Sequence, residues 1–188
     1  MPSILATSTA ATGAADALLG LPATTLTATD AALGDIVDED TGAWTQALRH
    51  VTGVDARIRL LEALLTRRLA AGVQPAPMVT AAVAAWDAYH GRPSVADMVE
   101  RTGYSRRRFT DLFRDAVGIP PKTYARLRRF QHAIGCIRES DGIGWPELAL
   151  ACGYCDQAHL IQEFREFAGV TPAAYAAARL PERNHIPT

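Results

Sequence analysis

Basic side chains are concentrated in one stretch of the chain, which has the charge needed to contact nucleic-acid phosphates. Residues 101–138 hold ten basic residues and two acidic ones, Asp111 and Asp115, a net charge of +8, although the whole chain carries −1. A local patch of this kind is typical of phosphate contact, and a solvated helix face is the alternative. The basic residues are Arg101, Arg106, Arg107, Arg108, Arg114, Lys122, Arg126, Arg128, Arg129 and Arg138.

The stretch that follows has the opposite charge. Residues 139–166 hold six acidic residues against Arg165, a net charge of −5. A surface of this sign repels phosphate, so the pattern predicts a weaker hold on nucleic acid in this part of the chain. The acidic residues are Glu139, Asp141, Glu147, Asp156, Glu163 and Glu166.

Three cysteines offer a second kind of chemistry. Cys152-Gly-Tyr-Cys155 is a C-x-x-C sequence, with His159 four residues on and Cys136 upstream. Such a pair can be redox-active or can form half of a zinc site. A thioredoxin-like site needs a βαβ context that is absent, and no second pair of zinc ligands is evident. Packing and turn roles are therefore favoured and no metal or cofactor is predicted, while a thiol- or metal-responsive switch through Cys152 and Cys155 stays an alternative.

The elements that carry these residues form a repeated unit. Gly103-Tyr104 recurs as Gly153-Tyr154, and Phe113-Arg114 recurs as Phe164-Arg165, at offsets of 50 and 51 residues. A repeat of this period indicates two copies of one supersecondary unit. The residues after each unit repeat in the same way, as the pairs Gly118 and Gly169, Pro121 and Pro172, and Tyr124 and Tyr175.

Turn and capping residues indicate what the unit is. Ser94, with Asp97 three residues later, is typical of a helix start, and Gly103 can end that helix in the left-handed conformation. Ser105 can cap a second helix that ends at Gly118. A helix, a short turn with glycine and a second helix are the pattern of a helix-turn-helix. The sequence therefore predicts helix-turn-helix units at 94–117 and 144–168 in an all-α fold.

With these residues in view, the second half of the chain resembles the DNA-binding domain of the AraC/XylS family of bacterial transcription regulators. The best match is Gly153-Tyr-x-Asp-x-x-x-Leu-x-x-x-Phe-Arg-x-x-x-Gly-Val-Thr-Pro-x-x-Tyr175. The resemblance implies two helix-turn-helix units joined by a long helix, about Pro121 to Glu139, with recognition helices in successive major-groove segments. It implies a sequence-specific regulator whose partner is double-stranded operator or promoter DNA. RNA polymerase and a second copy of the chain are further partners to test.

The first recognition helix should turn two kinds of residue to opposite sides. By the resemblance, base contacts fall on Arg107, Thr110 and Asp111. Arginine can pair bidentately with guanine, and aspartate can accept from cytosine. For Asp111, an ion pair one turn back with Arg107 or Arg108 is favoured over base contact. The expected core residues are Phe109, Leu112, Phe113 and Ala116, and the expected outward residues are Arg106, Arg107, Thr110, Asp111 and Arg114.

The second recognition helix is expected to follow the same plan. Gln157 and Gln162 suit adenine edges, and Ala158 or Ile161 can meet a thymine methyl group; ordinary exposed polar surface is the alternative. Its expected core residues are Leu160, Phe164 and Phe167. The residues predicted to contact phosphates, or else to form ion pairs on helix surfaces, are Arg106, Arg114, Lys122, Arg126, Arg129 and Arg165, with Arg128 read in the same way.

The first 76 residues are predicted to be a partial helical remnant of a sensor domain, with a disordered N-terminus and a linker before a DNA-binding domain at 77–188. Residues 54–69 form the clearest helix pattern, with Ile58 and Leu61 on one face. No series of alternating strands precedes residue 75, so a complete β-rich sensor domain is not expected. An alternative function is a protein-interaction module: a shortened regulator whose acidic second unit binds RNA polymerase or another regulator instead of DNA.

Several classes of function lack support in the sequence. There is no glycine-rich phosphate loop, nucleophile elbow or His-Glu-x-x-His motif, so no catalytic residue and no enzyme activity are predicted. No stretch reaches the roughly 18 apolar residues of a membrane span. The three cysteines and the absence of a recognisable export signal favour the cytoplasm, where a regulator would associate with the nucleoid.

Overall fold

The computed structural model describes residues 20–26, 41–72, 74–139 and 144–178, and none of these residues forms a β-strand. A short 3-10 turn, Ala23–Leu26, is followed in this part of the chain by nine helices. They are α1 (Thr41–His50), α2 (Val54–Ala71), α3 (Pro77–Ala88), α4 (Val95–Thr102), α5 (Arg106–Val117), α6 (Pro121–Glu139), α7 (Trp145–Ala151), α8 (Gln157–Ala168) and α9 (Pro172–Ala178). The predicted all-α class is confirmed. Within the same ranges, no helix combines the length and apolarity that crossing a bilayer requires.

The two predicted helix-turn-helix units are α4 with α5 and α7 with α8, and the long helix between them is α6. The recognition helices begin in equivalent ways: the Ser105 hydroxyl accepts from the Arg108 amide at 3.3 Å, and the Asp156 carboxylate accepts from the His159 amide at 2.8 Å. These bonds satisfy backbone donors that have no partner inside the helix. Both helices end at a left-handed glycine, with φ of 87° at Gly118 and 70° at Gly169.

Residue contacts divide the chain into two compact units. One contains the described residues up to Ala84 together with Met98–Pro121, and the other contains Ala85–Asp97 together with the described residues from Lys122 onwards. The predicted domain boundary after residue 76 stays a prediction, and the predicted disordered N-terminus falls in residues 1–19, outside the described ranges.

In the first unit, the core of α5 is largely the one expected. Phe109 and Phe113 are fully buried, Ala116 is buried and Leu112 is half-buried. The 3-10 turn packs at the end of α5, where Ala23 lies against Gly118. Helix α2 differs, because none of its residues is buried, and its apolar residues Val54, Ile58 and Leu61 are exposed.

The core of the second unit is built on aromatic contacts. Phe130 of α6 meets Phe164 of α8 edge to face, with ring centroids 4.8 Å apart, and Phe164 meets Tyr175 of α9 at 5.9 Å. Leu160 is fully buried, while Phe167 packs at the margin. Burying each of these large side chains contributes about 1.5–3 kcal/mol. The core therefore fixes the inner side of α8 against α6 and α9.

The loop between α3 and α4 is tied to α6 within the second unit. The Trp86 indole donates to the Pro93 carbonyl at 2.8 Å, and Asp87 accepts from the Tyr124 hydroxyl at 2.9 Å. Gly91 has φ of 73°, and a Cβ there would lie 2.0 Å from the Ala125 carbonyl oxygen. Only glycine meets both conditions, so this position sets how closely the loop approaches α6.

Candidate nucleic-acid interface

Helix α5 presents a polar side opposite its buried aromatic side. The Thr110 hydroxyl is half-buried and donates to the Arg106 carbonyl of its own helix at 2.9 Å, which leaves its oxygen lone pairs able to accept. Four charged residues that were predicted to contact DNA lie around Thr110, and all four are exposed. They are Arg106, Arg107, Asp111 and Arg114.

Arg107 and Asp111 form an ion pair one helical turn apart. Nε of Arg107 lies 3.9 Å from Oδ2 of Asp111, and the two side chains are 94% and 59% exposed. This is the pairing that the sequence favoured for Asp111. An exposed pair of this kind contributes only about 0.2–1 kcal/mol, so either side chain can leave it for a base edge at small cost.

Helix α8 presents its outward residues in a comparable way. Ala158, Gln162 and Arg165 are exposed, and Gln157 and Ile161 are half-buried. The half-buried pair and Arg165 line a surface cleft of about 180 Å³ that Trp145 and Pro172 also border. The cleft adjoins the predicted base-contacting side of the helix and is open to solvent.

The side chains predicted to contact phosphates divide into exposed ones and ones that already have partners within the protein. Arg106, Arg114, Lys122 and Arg165 are exposed. Arg129 is half-buried, donates weakly to the Gly91 carbonyl at 3.4 Å, and lies over the Tyr154 ring at 5.6 Å. Arg128 pairs with Asp87, Nε to Oδ1 at 2.6 Å. Some of the basic residues of the 101–138 stretch therefore already contact groups within the second unit.

Arg126 is the most fully engaged of these cations. Its Nε donates to Oε1 of Glu163 at 2.6 Å, and its terminal nitrogens donate to both carboxylate oxygens of Glu166, with 2.9 Å for the Nη1 contact. Its guanidinium also lies over the Phe167 ring at 5.1 Å. Hydrogen bonds to Glu166 and then Glu163 raise the pKa of the Arg126 guanidinium above its ordinary value. Phosphate contact by Arg126 stays a prediction.

Glu163 is a positioning residue that the sequence interpretation counted only as surface charge. It is 2% exposed, and Nε2 of His159 lies 3.6 Å from the same oxygen that Arg126 contacts. The available signal was its place on the apolar side of α8, three residues after Leu160, because a carboxylate there must be paired. Since Glu163 and Glu166 both pair with Arg126, the count of −5 overstates the acidity of the outward side of α8.

The cysteines occupy different environments. Cys152, the residue after α7, is fully buried, while Cys155 in the following turn is exposed. Burial, together with a hydrogen bond involving Cys136, raises the pKa of the Cys152 thiol to about 12. Burial lowers the pKa of His132, with smaller electrostatic contributions from His90 and Arg92. Cys152 therefore has Cys136 beside it, a proximity that the C-x-x-C spacing did not suggest.

Comparison with known proteins places this geometry in a class. The family model for a helix-turn-helix domain matches residues 98–178. A candidate HTH-type transcriptional regulator of Escherichia coli (strain K12), YkgA, is 30% identical over 82 residues, which cover 44% of this chain and 34% of the relative. The match thus spans about a third of that relative's length.

Two solved structures are similar to the same part of the chain. The DNA-binding domain of AdpA, a global transcriptional factor crystallised with a target DNA, has 29% identity and a TM-score of 0.51, covering 57% of this chain and 99% of that one. The C-terminal domain of AraT, a response regulator from Geobacillus stearothermophilus, has 19% identity and a TM-score of 0.53, covering 57% and 90%. The AraT likeness concerns the fold alone.

The fold and the matches define a helix-turn-helix domain of the kind found in DNA-binding transcription regulators. More particularly, residues 98–178 form a helix-turn-helix domain of the AraC type, which confirms the resemblance found in the sequence.

Proposed function

We propose that this chain is a sequence-specific transcription regulator that reads two successive major-groove segments, one with α5 and one with α8. The observation that carries the proposal is the equivalent construction of the two helices. Each has a capped N-terminus, buried apolar residues on its inner side and exposed polar residues on its outward side. The AdpA domain, which was solved with a target DNA, supports DNA as the partner because its sequence and fold are both similar.

Base contacts are assigned to outward side chains on both helices. Arg107 leaves its weak pair with Asp111 and bonds guanine bidentately, and the freed Asp111 carboxylate accepts from a cytosine amine. The Thr110 oxygen accepts from a neighbouring base while its proton stays on the helix backbone. On α8, Gln157 and Gln162 bond adenine edges, and Ala158 contacts a thymine methyl group.

Phosphate contacts are assigned first to the exposed cations Arg106, Arg114, Lys122 and Arg165. These contacts position the helices without reading sequence. For Arg126 and Arg129, a phosphate competes with groups that they already contact, so we expect them to contribute less to the dependence of affinity on salt. In this proposal the protein acts in the cytoplasm, at the nucleoid.

The test is binding of the purified chain to genomic DNA fragments at two salt concentrations, with Arg107→Ala, Gln157→Ala and the control Arg67→Ala, an exposed arginine of α2. Loss of one bidentate base contact should cost about 1–3 kcal/mol of discrimination, and Arg67→Ala should bind like the unmodified protein. Selective binding weakened by Arg107→Ala and Gln157→Ala supports two-segment recognition. Retention of full selectivity in Gln157→Ala contradicts the role of α8, and no selective binding even at low salt overturns the proposal.

A second candidate function is a protein-interaction module, which the exposed apolar residues of α2 favour. Val54 is 72% exposed, and Ile58 and Leu61 are also exposed. Such residues can contact RNA polymerase or a second copy of the chain. If Ile58→Asp leaves both the oligomeric state and polymerase binding unchanged, this candidate is wrong.

A further inference from the structure

Three potential metal ligands converge between α6 and the end of α7, inside the second unit. They are His132 and Cys136, one turn apart on α6, and the buried Cys152. Their donor atoms all lie within 4.8 Å of one another. The Cys136 sulfur lies 3.6 Å from Nε2 and 3.9 Å from Nδ1 of His132.

We propose that His132, Cys136 and Cys152 bind one thiophilic closed-shell metal ion, of the kind represented by Zn²⁺ and Cu⁺. Two thiolates and an imidazole are the soft and borderline donors that these ions prefer. With metal–sulfur bonds of about 2.3 Å and metal–nitrogen bonds of about 2.0–2.1 Å, two donors on one ion lie about 3.5–4 Å apart. The Cys136 and His132 donors already have this spacing, and the Cys152 sulfur lies within 4.8 Å of both, so side-chain rotations suffice to form the site.

The surroundings favour a site that is ordered yet reachable. The His132 ring is stacked on His90, with centroids 3.9 Å apart and planes 4° from parallel, which limits the orientations of the imidazole. Cys152 is fully buried, while His132 and Cys136 are half-buried and give an ion a path from solvent. Three protein ligands suit Cu⁺ directly, and Zn²⁺ would complete its four-coordinate shell with a water molecule.

The site differs from the one that the C-x-x-C spacing suggested. Cys155 is exposed and is not part of the group. The partners of Cys152 come instead from α6, where His132 and Cys136 stand four residues apart. This spacing places two side chains on the same face of a helix, which is the sequence signal for half of a metal site.

An ion at this site would crosslink α6 to the residue that directly follows α7. Cys152 is followed by Gly153 and Tyr154, and α8 begins at Gln157. Metal binding therefore holds the turn that sets the position of α8. We expect it to stabilise the second unit and, resting on the proposed function, to strengthen DNA binding through α8.

The test is titration of the full reduced chain, without oxygen, with ZnCl₂ and separately with Cu⁺ stabilised by acetonitrile, each against a chromophoric chelator. The variants are Cys136→Ala, Cys152→Ala and His132→Phe, which keeps an aromatic ring beside His90, and Cys155→Ala is the matched control. Circular dichroism confirms that each variant is folded. We expect one ion per chain, with affinity lowered more than about 100-fold by each ligand variant, beyond the loss that outer-shell substitutions give.

The outcomes separate the sites and the ions. The Cys155→Ala control should bind metal like the unmodified chain. Metal should raise the melting temperature only of chains that bind it. The ion that binds with the higher affinity is assigned to the site. If neither metal binds, if folded Cys136→Ala and His132→Phe retain full affinity, or if Cys155→Ala removes binding, the site is wrong. DNA titrations with and without metal test the coupling between the metal site and α8. If the chain takes up one ion and its DNA affinity does not change, the coupling is wrong. If neither form binds DNA, the proposed function is wrong, but the result of one ion per chain still stands.

Discussion

The Oε1 atom of Glu163, on the inner side of α8, lies 2.6 Å from Nε of Arg126 on α6. The two residues are 37 positions apart, and the carboxylate is 2% exposed while the arginine side chain is 25% exposed. Arg126 also holds Glu166 at the surface. One guanidinium therefore joins the second recognition helix to the long helix through two carboxylates.

Breaking this pair should destabilise the second unit. Glu163→Gln keeps a hydrogen-bond acceptor but removes the charge, and we expect a loss of about 1–3 kcal/mol in the free energy of unfolding. Arg126→Met should cost more, about 3–5 kcal/mol, because it leaves Glu163 buried without its cation. Urea unfolding at pH 7 measures both. The exposed control Glu139→Gln should change the free energy of unfolding by less than about 0.5 kcal/mol. If Glu163→Gln has an effect as small as this control, a structural role for the pair is contradicted.

The contact between Arg126 and Glu166 should appear as a pH-dependent contribution to stability. The hydrogen bond from Arg126 holds the pKa of Glu166 below its ordinary value of 4.5. Because the folded-state pKa is the lower one, the contribution is complete above the unfolded value and is lost as pH falls through the folded value. We expect Glu166→Gln to be less stable than the unmodified chain at neutral pH and the difference to shrink as the pH drops below 4.5. Denaturation curves at several pH values measure this difference, and a gap that widens in acid would contradict the assignment.

Gly91 should resist any side chain. Its φ of 73° is strained for other residues, and an added Cβ would lie 2.0 Å from the backbone oxygen of Ala125, which cannot rotate away. We expect Gly91→Ala to destabilise the protein by more than about 2 kcal/mol. The matched control is Gly135→Ala, in the middle of α6 with open space around it, which should stabilise by about 0.5–1 kcal/mol. Similar melting temperatures for the two variants would show that the close approach of the loop is relaxed in solution.

The three thiols should react at different rates in metal-free protein. Cys155 is exposed, Cys136 is half-buried and Cys152 is fully buried, with its pKa raised to about 12 by burial and a hydrogen bond involving Cys136. Because the thiolate is the reacting species, Cys155 should be alkylated first and Cys152 last. Timed iodoacetamide labelling with peptide mass spectrometry gives the order, and Cys155→Ser should lose the fastest phase. Early labelling of Cys152 in folded protein would contradict its burial.

Local patterns in the sequence were sufficient to predict the elements of the second half. The cap at Ser105 and the helix end at Gly118, which the repeat carries over to Gly169, each depend on residues within one or two turns, where residue type and backbone geometry are directly linked. The spacing of Phe109 and Phe113 likewise predicted which side of α5 is buried. These features need no knowledge of how helices pack.

Pairings between distant residues could not be predicted in the same way. Arg126 and Glu163, or Cys152 and the α6 pair, are brought together only by how α6, α7 and α8 pack, and no spacing rule encodes that. The apolar pattern of α2 predicted a helix correctly but not that its residues would be exposed. The base and phosphate contacts stay predictions, because they depend on a partner molecule.

Each of the helices α5 and α8 has a buried inner side and an exposed outer side, and this division has a consequence for how related proteins diverge. The groups that hold α8 in place, such as Phe164 and Glu163, do not overlap with outward residues such as Gln162 and Ala158. Exchanges at the outward positions are expected to leave folding almost unchanged. Under the proposed function, gene duplicates would therefore acquire new target sites through a few surface substitutions, while their interiors stay under the same selection as before.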